Sequence, residues 1–316
     1  MLQINDFKNK KILFVFGNKE VNSLRFSNEN IRLYNNTIPI NQISLFSIFA
    51  IFVIGDLTIT TQILRKIKER GISIIFLNRS FKQYAEVMSY SEANYILRSK
   101  QYLLPEDSNL SIAKLIIKNK IINQHRVLKQ YNKLGFNYKD YITRVDDVTD
   151  YKILLGLEGT VARKYFSTLF NELDWNRRAP QTKEDINNLL LDIGYTFLFN
   201  YIDALLKLFG FDTYKGVYHK MFFQRKSLSC DLMEPIRPII DKELYKMYSL
   251  GILNENDFKI KNGMYSFKNS EITKKYVNVW FELIVKKKEE LYNYIGCYYR
   301  YISNPDKYKF KPFEIR

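Results

Sequence analysis

The chain opens on short apolar runs of strand type. KILFVFG, SLRFS, NIRLYN and TIPI lie between Lys11 and Ile40 and carry β-branched or aromatic residues. Asn, Gly and Ser separate them, the punctuation of tight turns. ISLFSIFAIFVIG, Ile43–Gly55, follows; it is too short and too interrupted by Ser to span a bilayer and predicts buried strands. The period then changes. TTQILRKIKERG places Ile63, Leu64 and Ile67 on one face, Lys and Arg on the other and Gly71 at the end, which predicts one helix. ISIIFLN predicts a further buried strand, and Ser80–Ser91 reads as a linker or a final hairpin.

From Glu92 onward the spacing is helical. SEANYILRSKQYLL, NLSIAKLIIKNKIINQHRVLKQY and the segment Tyr151–Phe170 all show it. Lys183–Phe209 is apolar almost all round and predicts a central buried helix. Lys286, Lys287 and Lys288 read as the solvated face of a long helix rather than a dedicated patch. The tail from Asn304, with Pro305 and Pro312, predicts irregular chain. There is no internal repeat. The expected fold is α+β: a small β-rich N-terminal domain with one helix over residues 1–88, then a larger all-helical domain over 89–316. A chain of 316 residues has ample length for two such domains.

Charge sharpens this picture. Lys plus Arg number 49 against 33 Asp plus Glu, a formal net charge of +16. A bias toward Asn, Ile, Lys and Tyr fits an AT-rich genome, but that does not explain the excess of bases over acids. Such a field attracts polyanions, with nucleic acid the leading partner and an anionic membrane surface the second. Cys230 and Cys297 make neither a disulfide framework nor a zinc box, and read as reduced thiols of a cytoplasmic protein. MLQINDFKNKK has no apolar signal core.

Two places carry candidate chemistry. In LLGLEGTVARKYFSTLF, Leu154, Val161, Ala162, Tyr165 and Leu169 each fall within about 60° of Glu158 on a helix, so Glu158 sits in the middle of that stripe. A carboxylate there needs a partner, either an internal Arg or Lys or a metal. Gly156 and Gly159 flank it, marking either close approach by backbone or ligand, or the helix start. The second place is HKMFFQRKSLSCDLMEP, His219–Pro235. Asp231 and Glu234 are spaced to share one side of a helix, where oxygen ligands suit Mg²⁺ or Mn²⁺ and an imidazole from His219 shifts the preference toward Mn²⁺. The same Asp-x-x-Glu is also a capping box, with Asp231 as N-cap and Glu234 at N3, and on local pattern alone the cap is the better reading. Lys215, Lys220, Arg225, Lys226 and Arg237 around it favour acids that hold a cation beside phosphates. His125 has no acids near it in sequence and reads as structural.

These residues, together with FVIGDLTITTQILRKIKERGISIIFLNRSF, LEGTVARKYF, NRRAP with INNLLLDIGYTFL, GFDTYKGVYHK and SLSCDLMEPIRPIID, resemble one family in order and spacing over nearly the full length. It is the CRISPR-associated integrase of the spacer-adaptation module, the universal CRISPR-associated endonuclease. The resemblance implies metal ligands at Glu158, His219 and Glu234, with Asp231 as a supporting group or second-metal ligand, and motif roles near the site for Arg163 and Tyr165. Many members have Asp where Glu234 stands, and Cys230 replaces a small or apolar residue. The implied cofactor is Mn²⁺ or Mg²⁺. The implied reaction is attack of a 3′-hydroxyl of a short spacer fragment on a phosphodiester of the CRISPR repeat, or hydrolysis when water attacks instead. The implied partners are double-stranded DNA, a second copy through the N-terminal domain, and a small ferredoxin-like adaptation protein, with no membrane. Three rivals share part of this pattern: a transposase of a mobile element with the same site, a non-catalytic DNA-binding scaffold, and a metal-dependent repair nuclease.

Overall fold

In the computed structural model the described residues are 10–17, 20–78, 83–88, 94–173, 175–219 and 223–315. They fall into two compact units, Met1–Arg98 with Ala204–Phe211, and Ser99–Asp203 with Asp212–Arg316. The MLQINDFKN start, Lys220, and much of the Ser80–Ser91 segment lie outside the described residues.

The first unit holds two sheets. Strands β1 (Lys11–Phe16), β5 (Ile48–Ile54) and β7 (Ser73–Leu77) are parallel, and β8 (Gln83–Val87) closes that sheet antiparallel to β7, so part of the linker segment is a strand. Strands β2 (Ser23–Ser27), β3 (Asn30–Asn35) and β4 (Ile38–Ser44) form an antiparallel meander, with the short β6 (Thr58–Ile59) parallel to β2. Asn28 and Glu29 both adopt positive φ in the two-residue β2–β3 turn, the twist that suits a tight hairpin. All seven residues of β5 are buried, as its unbroken apolar run requires. Helix α1 (Thr61–Glu69) adds Ile63 and Ile67 to a core with Val15, Leu24, Ile31 and Ile51, and Gly71, at φ +70°, ends it. Asn94 and Arg98 donate to the carbonyls of Phe209 and Gly210, which ties Ala204–Phe211 to this unit.

The remaining elements are α2 (Tyr95–Tyr102), α3 (Glu106–Gln130), α4 (Tyr138–Asp146), α5 (Tyr151–Leu169), α6 (Ile186–Phe209), α7 (Ser227–Met233), α8 (Pro238–Ser249) and α9 (Ser270–Ser303). Helix α6 is the expected buried helix; it is long and apolar enough to cross a membrane, and most of its residues are buried within the fold. One departure from an all-helical second domain is the hairpin β9 (Phe258–Lys261)–β10 (Met264–Phe267). Asn262 and Gly263 turn it with φ of 53° and 73°, the type I′ geometry that Asn-Gly favours. The tail is irregular as expected, but it is anchored: Asn119 and Asn123 of α3 bond the backbone of Phe313 and Ile315.

Two helical glycines differ in surroundings. A Cβ at Gly194 in α6 would lie 2.6 Å from Ile240 Cγ2 and 3.2 Å from the Trp280 ring, so this glycine lets α6 approach α8 and α9. A Cβ at Gly156 would meet nothing within 4 Å. Gly156→Ala is therefore expected to stabilise by about 0.5–1 kcal/mol through helix propensity. Gly194→Ala is expected to destabilise by about 1–3 kcal/mol through overpacking, despite the same propensity gain. Urea unfolding followed by helical circular dichroism separates the two.

Candidate active site

The sequence places Lys120 at the heart of an isoleucine-rich helix, α3. Its neighbours Ile116, Ile117 and Ile121 are buried, and so are Asn119, Lys120, Asn123 and Gln124, a polar stripe one helical turn long. An ammonium buried there needs anions. It finds two. Lys120 Nζ donates to Glu158 Oε1 and to Glu234 Oε2, the latter at 2.6 Å. Burial alone would lower the Lys120 pKa, but Glu234 and Glu158 outweigh it and hold the ammonium above its ordinary value. The side chains of Lys120 and Glu234 are 7% and 6% exposed, that of Glu158 18%. Of the two partners that the sequence left open for Glu158, the structure supplies the internal lysine.

Glu234 has a second cation. Arg237 Nη1 donates to its Oε1 at 2.8 Å, and the guanidinium lies 4.2 Å from the Tyr195 ring centroid. Burial would raise the Glu234 carboxyl, yet Arg237 and Lys120 pull it well below the usual carboxylate range. Beyond Arg237, Tyr195 donates its hydroxyl to the fully buried Asp241, with the buried Tyr165 alongside. Burial pushes Asp241 up to about 6, against the opposing pull of Tyr195 and Arg237.

His219 is set by a different device. Asp231, fully buried, takes the backbone N–H of Val217 (2.7 Å) and Tyr218 (2.9 Å) on Oδ2, and that of His219 (2.9 Å) on Oδ1. Oδ1 also meets His219 Nδ1 at 2.6 Å. A carboxylate only accepts, so Nδ1 carries its proton and Nε2 is the nitrogen left for other chemistry. A Cβ at Gly216 would fall 2.6 Å from Asp231 Oδ2 and 2.7 Å from Ser227 Cβ, which gives the Gly-x-x-His spacing a steric cause. Asp231 is therefore not an N-cap. Helix α7 starts after Lys226, Asp231 lies inside it and Glu234 ends it, because the carboxylate serves the 217–219 loop instead of its own helix. Lys226, expected beside phosphates, pairs with buried Asp203 at 2.8 Å, and Ser229 joins it at 2.9 Å, which pins α7 to α6.

Among the described residues, no three His, Cys, Asp or Glu side chains stand together as a closed ligand cluster. The structure brings Glu158 and Glu234 onto one cation, and Asp231 orients the His219 ring. The buried Tyr218 lies among Glu158, Glu234 and Asp231, and its hydroxyl is pushed up by burial and by those acids. The donor set fits a divalent cation: two carboxylates already converge on a positive group, and an imidazole oriented by a carboxylate presents Nε2. A cleft of about 350 Å³ opens beside Lys120 and Glu158, lined also by Arg163, Arg178 and Trp175. Arg178 clamps the NRRAP segment to α6 through Asp192 (2.5 Å) and Asn188 (2.7 Å). Gly156 and Gly159 are inside α5 with open space at both, neither a helix start nor a packed contact. His125 stacks on Tyr138, with ring centroids 4.3 Å apart, as a structural residue would. Lys120, Tyr195 and Asp241 carry no sequence signal that marks them as site residues, and Arg237 stands out only as one of the bases around the Asp231 and Glu234 pair. For Lys120, falling in step with isoleucines on one helix face signals a buried lysine and no more.

A family model described as CRISPR associated protein Cas1 matches residues 14–282. The chain belongs to the Cas1 family. It is 27% identical over 261 residues to the CRISPR-associated endonuclease Cas1 1 of Thermodesulfovibrio yellowstonii, covering 77% of this chain and 82% of that relative. Among solved structures it is similar to a casposase bound to integration product, with TM-score 0.81 and 21% identity over 96% of this chain and 94% of that one. A Cas1 protein from Thermotoga maritima gives TM-score 0.80 and 17% identity over 95% and 100%. A chain of a partial Cas6-RT-Cas1–Cas2 complex gives 0.66 and 22% over 97% and 99%. These likenesses establish a shared Cas1 α+β fold.

Two outcomes test the site geometry. Gly216→Ala should displace Asp231 and release the imidazole, seen as loss of the His219 Nδ1–H signal in proton NMR, with less than about 3 kcal/mol lost in stability. Asp241 is raised by folding, so its stabilisation is full below the ordinary carboxylate pKa and is lost as pH rises through about 6. Asp241→Asn should gain on the wild type between pH 4 and 7, by on the order of 2 kcal/mol. Thermal melting across that range checks the sign.

Proposed function

We propose that the chain is a metal-dependent DNA integrase and endonuclease that inserts short fragments into a CRISPR array by 3′-hydroxyl attack on a phosphodiester of the repeat. What carries the reading is the convergence of Glu158 and Glu234 on one cation beside an imidazole oriented by Asp231, in a chain of the Cas1 family. Glu158, Glu234 and His219 Nε2 would hold Mn²⁺ or Mg²⁺. When bound, such an ion polarises a non-bridging phosphate oxygen and favours loss of the proton from the attacking hydroxyl. The protein's own contribution is positioning. Asp231 holds the His219 ring, Arg237 holds the Glu234 carboxylate, and Gly216 keeps the loop close enough for the first of these. Arg163, exposed and lining the cleft, offers charge-assisted contacts to phosphate oxygens. With water in place of the 3′-hydroxyl, the same arrangement hydrolyses DNA.

The net charge of +16 supports binding of duplex DNA mainly through phosphates, so affinity should fall steeply with salt. The proposed assembly is a dimer through the β-rich unit, joined to a small ferredoxin-like adaptation protein; the similarity to Cas1 in Cas1–Cas2 complexes supports that partner class. A transposase with the same site is the second reading, favoured by the similarity to a casposase bound to its integration product. A repeat-containing target separates them: an adaptation integrase prefers the repeat boundary, and a transposase does not.

The test is joining of a labelled fragment to a repeat-bearing plasmid, with Mn²⁺ and with chelator. His219→Ala and Glu234→Gln should abolish joining and leave DNA affinity within a few-fold. Gln is the sharper choice at Glu234, because Ala would take the acceptor from Arg237 and leave the buried Lys120 with Glu158 alone, whereas Gln keeps an acceptor oxygen and the side-chain volume. Full joining by either variant, or in chelator, would overturn the metal reading.

A further inference from the structure

We propose that Lys120 is a built-in competitor for the divalent cation: its ammonium holds Glu158 and Glu234 together before the ion arrives and swings into the adjacent cleft when the ion binds. The inference rests on the metal reading above. Both oxygens of Glu234 are engaged, Oε2 by Lys120 and Oε1 by Arg237. An ion that takes Glu234 as a ligand therefore competes with these two cations for the same two oxygens. Arg237 is the harder to move, since its guanidinium stacks on Tyr195 and Tyr195 is in turn bonded to Asp241. Lys120 carries its charge on a flexible four-carbon stem. It also lines the cleft of about 350 Å³ beside the site, so the ammonium has somewhere to go.

Electrostatics favour this order of events. The charges of Glu158, Glu234, Lys120 and Arg237 cancel, so without metal this four-residue cluster is balanced and tolerates burial. A divalent ion entering with Lys120 still in place would meet a like charge against the same two carboxylates. Moved to the cleft, the ammonium stands beside Arg163 and Arg178, where an arriving phosphate would offset it. Lys120 is thus a positioning residue that sets the threshold for metal uptake and couples it to the presence of an anion.

The experiment is calorimetric titration of Mn²⁺ into the DNA-free wild type and into Lys120→Met, which keeps the stem and removes the charge. The variant should bind Mn²⁺ roughly 10- to 100-fold more tightly. Its metal-free melting temperature should be lower, and the deficit should shrink as Mn²⁺ is added. A lysine with a merely structural role predicts weaker binding, so unchanged or weaker affinity in a folded Lys120→Met overturns the inference while the wild type's own binding preserves the metal reading. No binding by either protein overturns both. If Lys120→Met does not fold, acetylation of the wild type read by mass spectrometry decides: Lys120 should be protected without metal and reactive at saturating Mn²⁺, and protection that persists at saturation overturns the inference.

Discussion

Two carboxylates that both stay ionised in a protein interior need a cation between them. Glu158 and Glu234 come from distant parts of the chain, and Lys120 from a third. Their meeting point lies where α3, α5 and the end of α7 converge, and the surrounding packing serves to hold these elements there. Asn123, one turn from Lys120, donates to the Pro235 carbonyl at 2.8 Å, so the helix that brings the cation also fixes the backbone next to Glu234. The C-terminal tail closes the same helix face through Asn119 and Asn123.

Around that pair the fold builds two further carboxylate sites, each solved differently. Asp231 satisfies itself with backbone N–H groups and the His219 ring, which gives it direction without a formal counter-ion. Asp241 has Tyr195 and the field of Arg237, and burial leaves it poised near neutral pH. The three acids differ in role because their partners differ: ammonium and guanidinium at Glu234, amides and an imidazole at Asp231, a phenol at Asp241. Where this much polar chemistry is buried, small residues matter sterically, and Gly216 and Gly194 each stand where a methyl group would meet a neighbour.

Much of the architecture was legible from local pattern. The unbroken run of β5, the amphipathic α1 ended by Gly71 and the all-apolar α6 each announce themselves within a dozen or two residues, because burial on one face or all round leaves a period in the sequence. The β9–β10 hairpin was equally local, with Asn262-Gly263 between short alternating runs, and was passed over amid helices. Glu158 on an apolar stripe was visible too, as a demand for an unnamed partner.

The sequence alone determined which residues required company and, through ordered motifs, the family to which they belong. Only the tertiary structure decided who answers whom. Asp231 and Glu234, three residues apart, look like one cap or one ligand pair; folded, they face different neighbours, a loop on one side and Lys120 with Arg237 on the other. The reason is physical. Hydrophobic periodicity is set by nearest turns of the same helix and survives in the one-dimensional pattern. The pairing of a buried charge depends on which side chain, a hundred residues away, is carried to within hydrogen-bonding reach, and no local period encodes that distance.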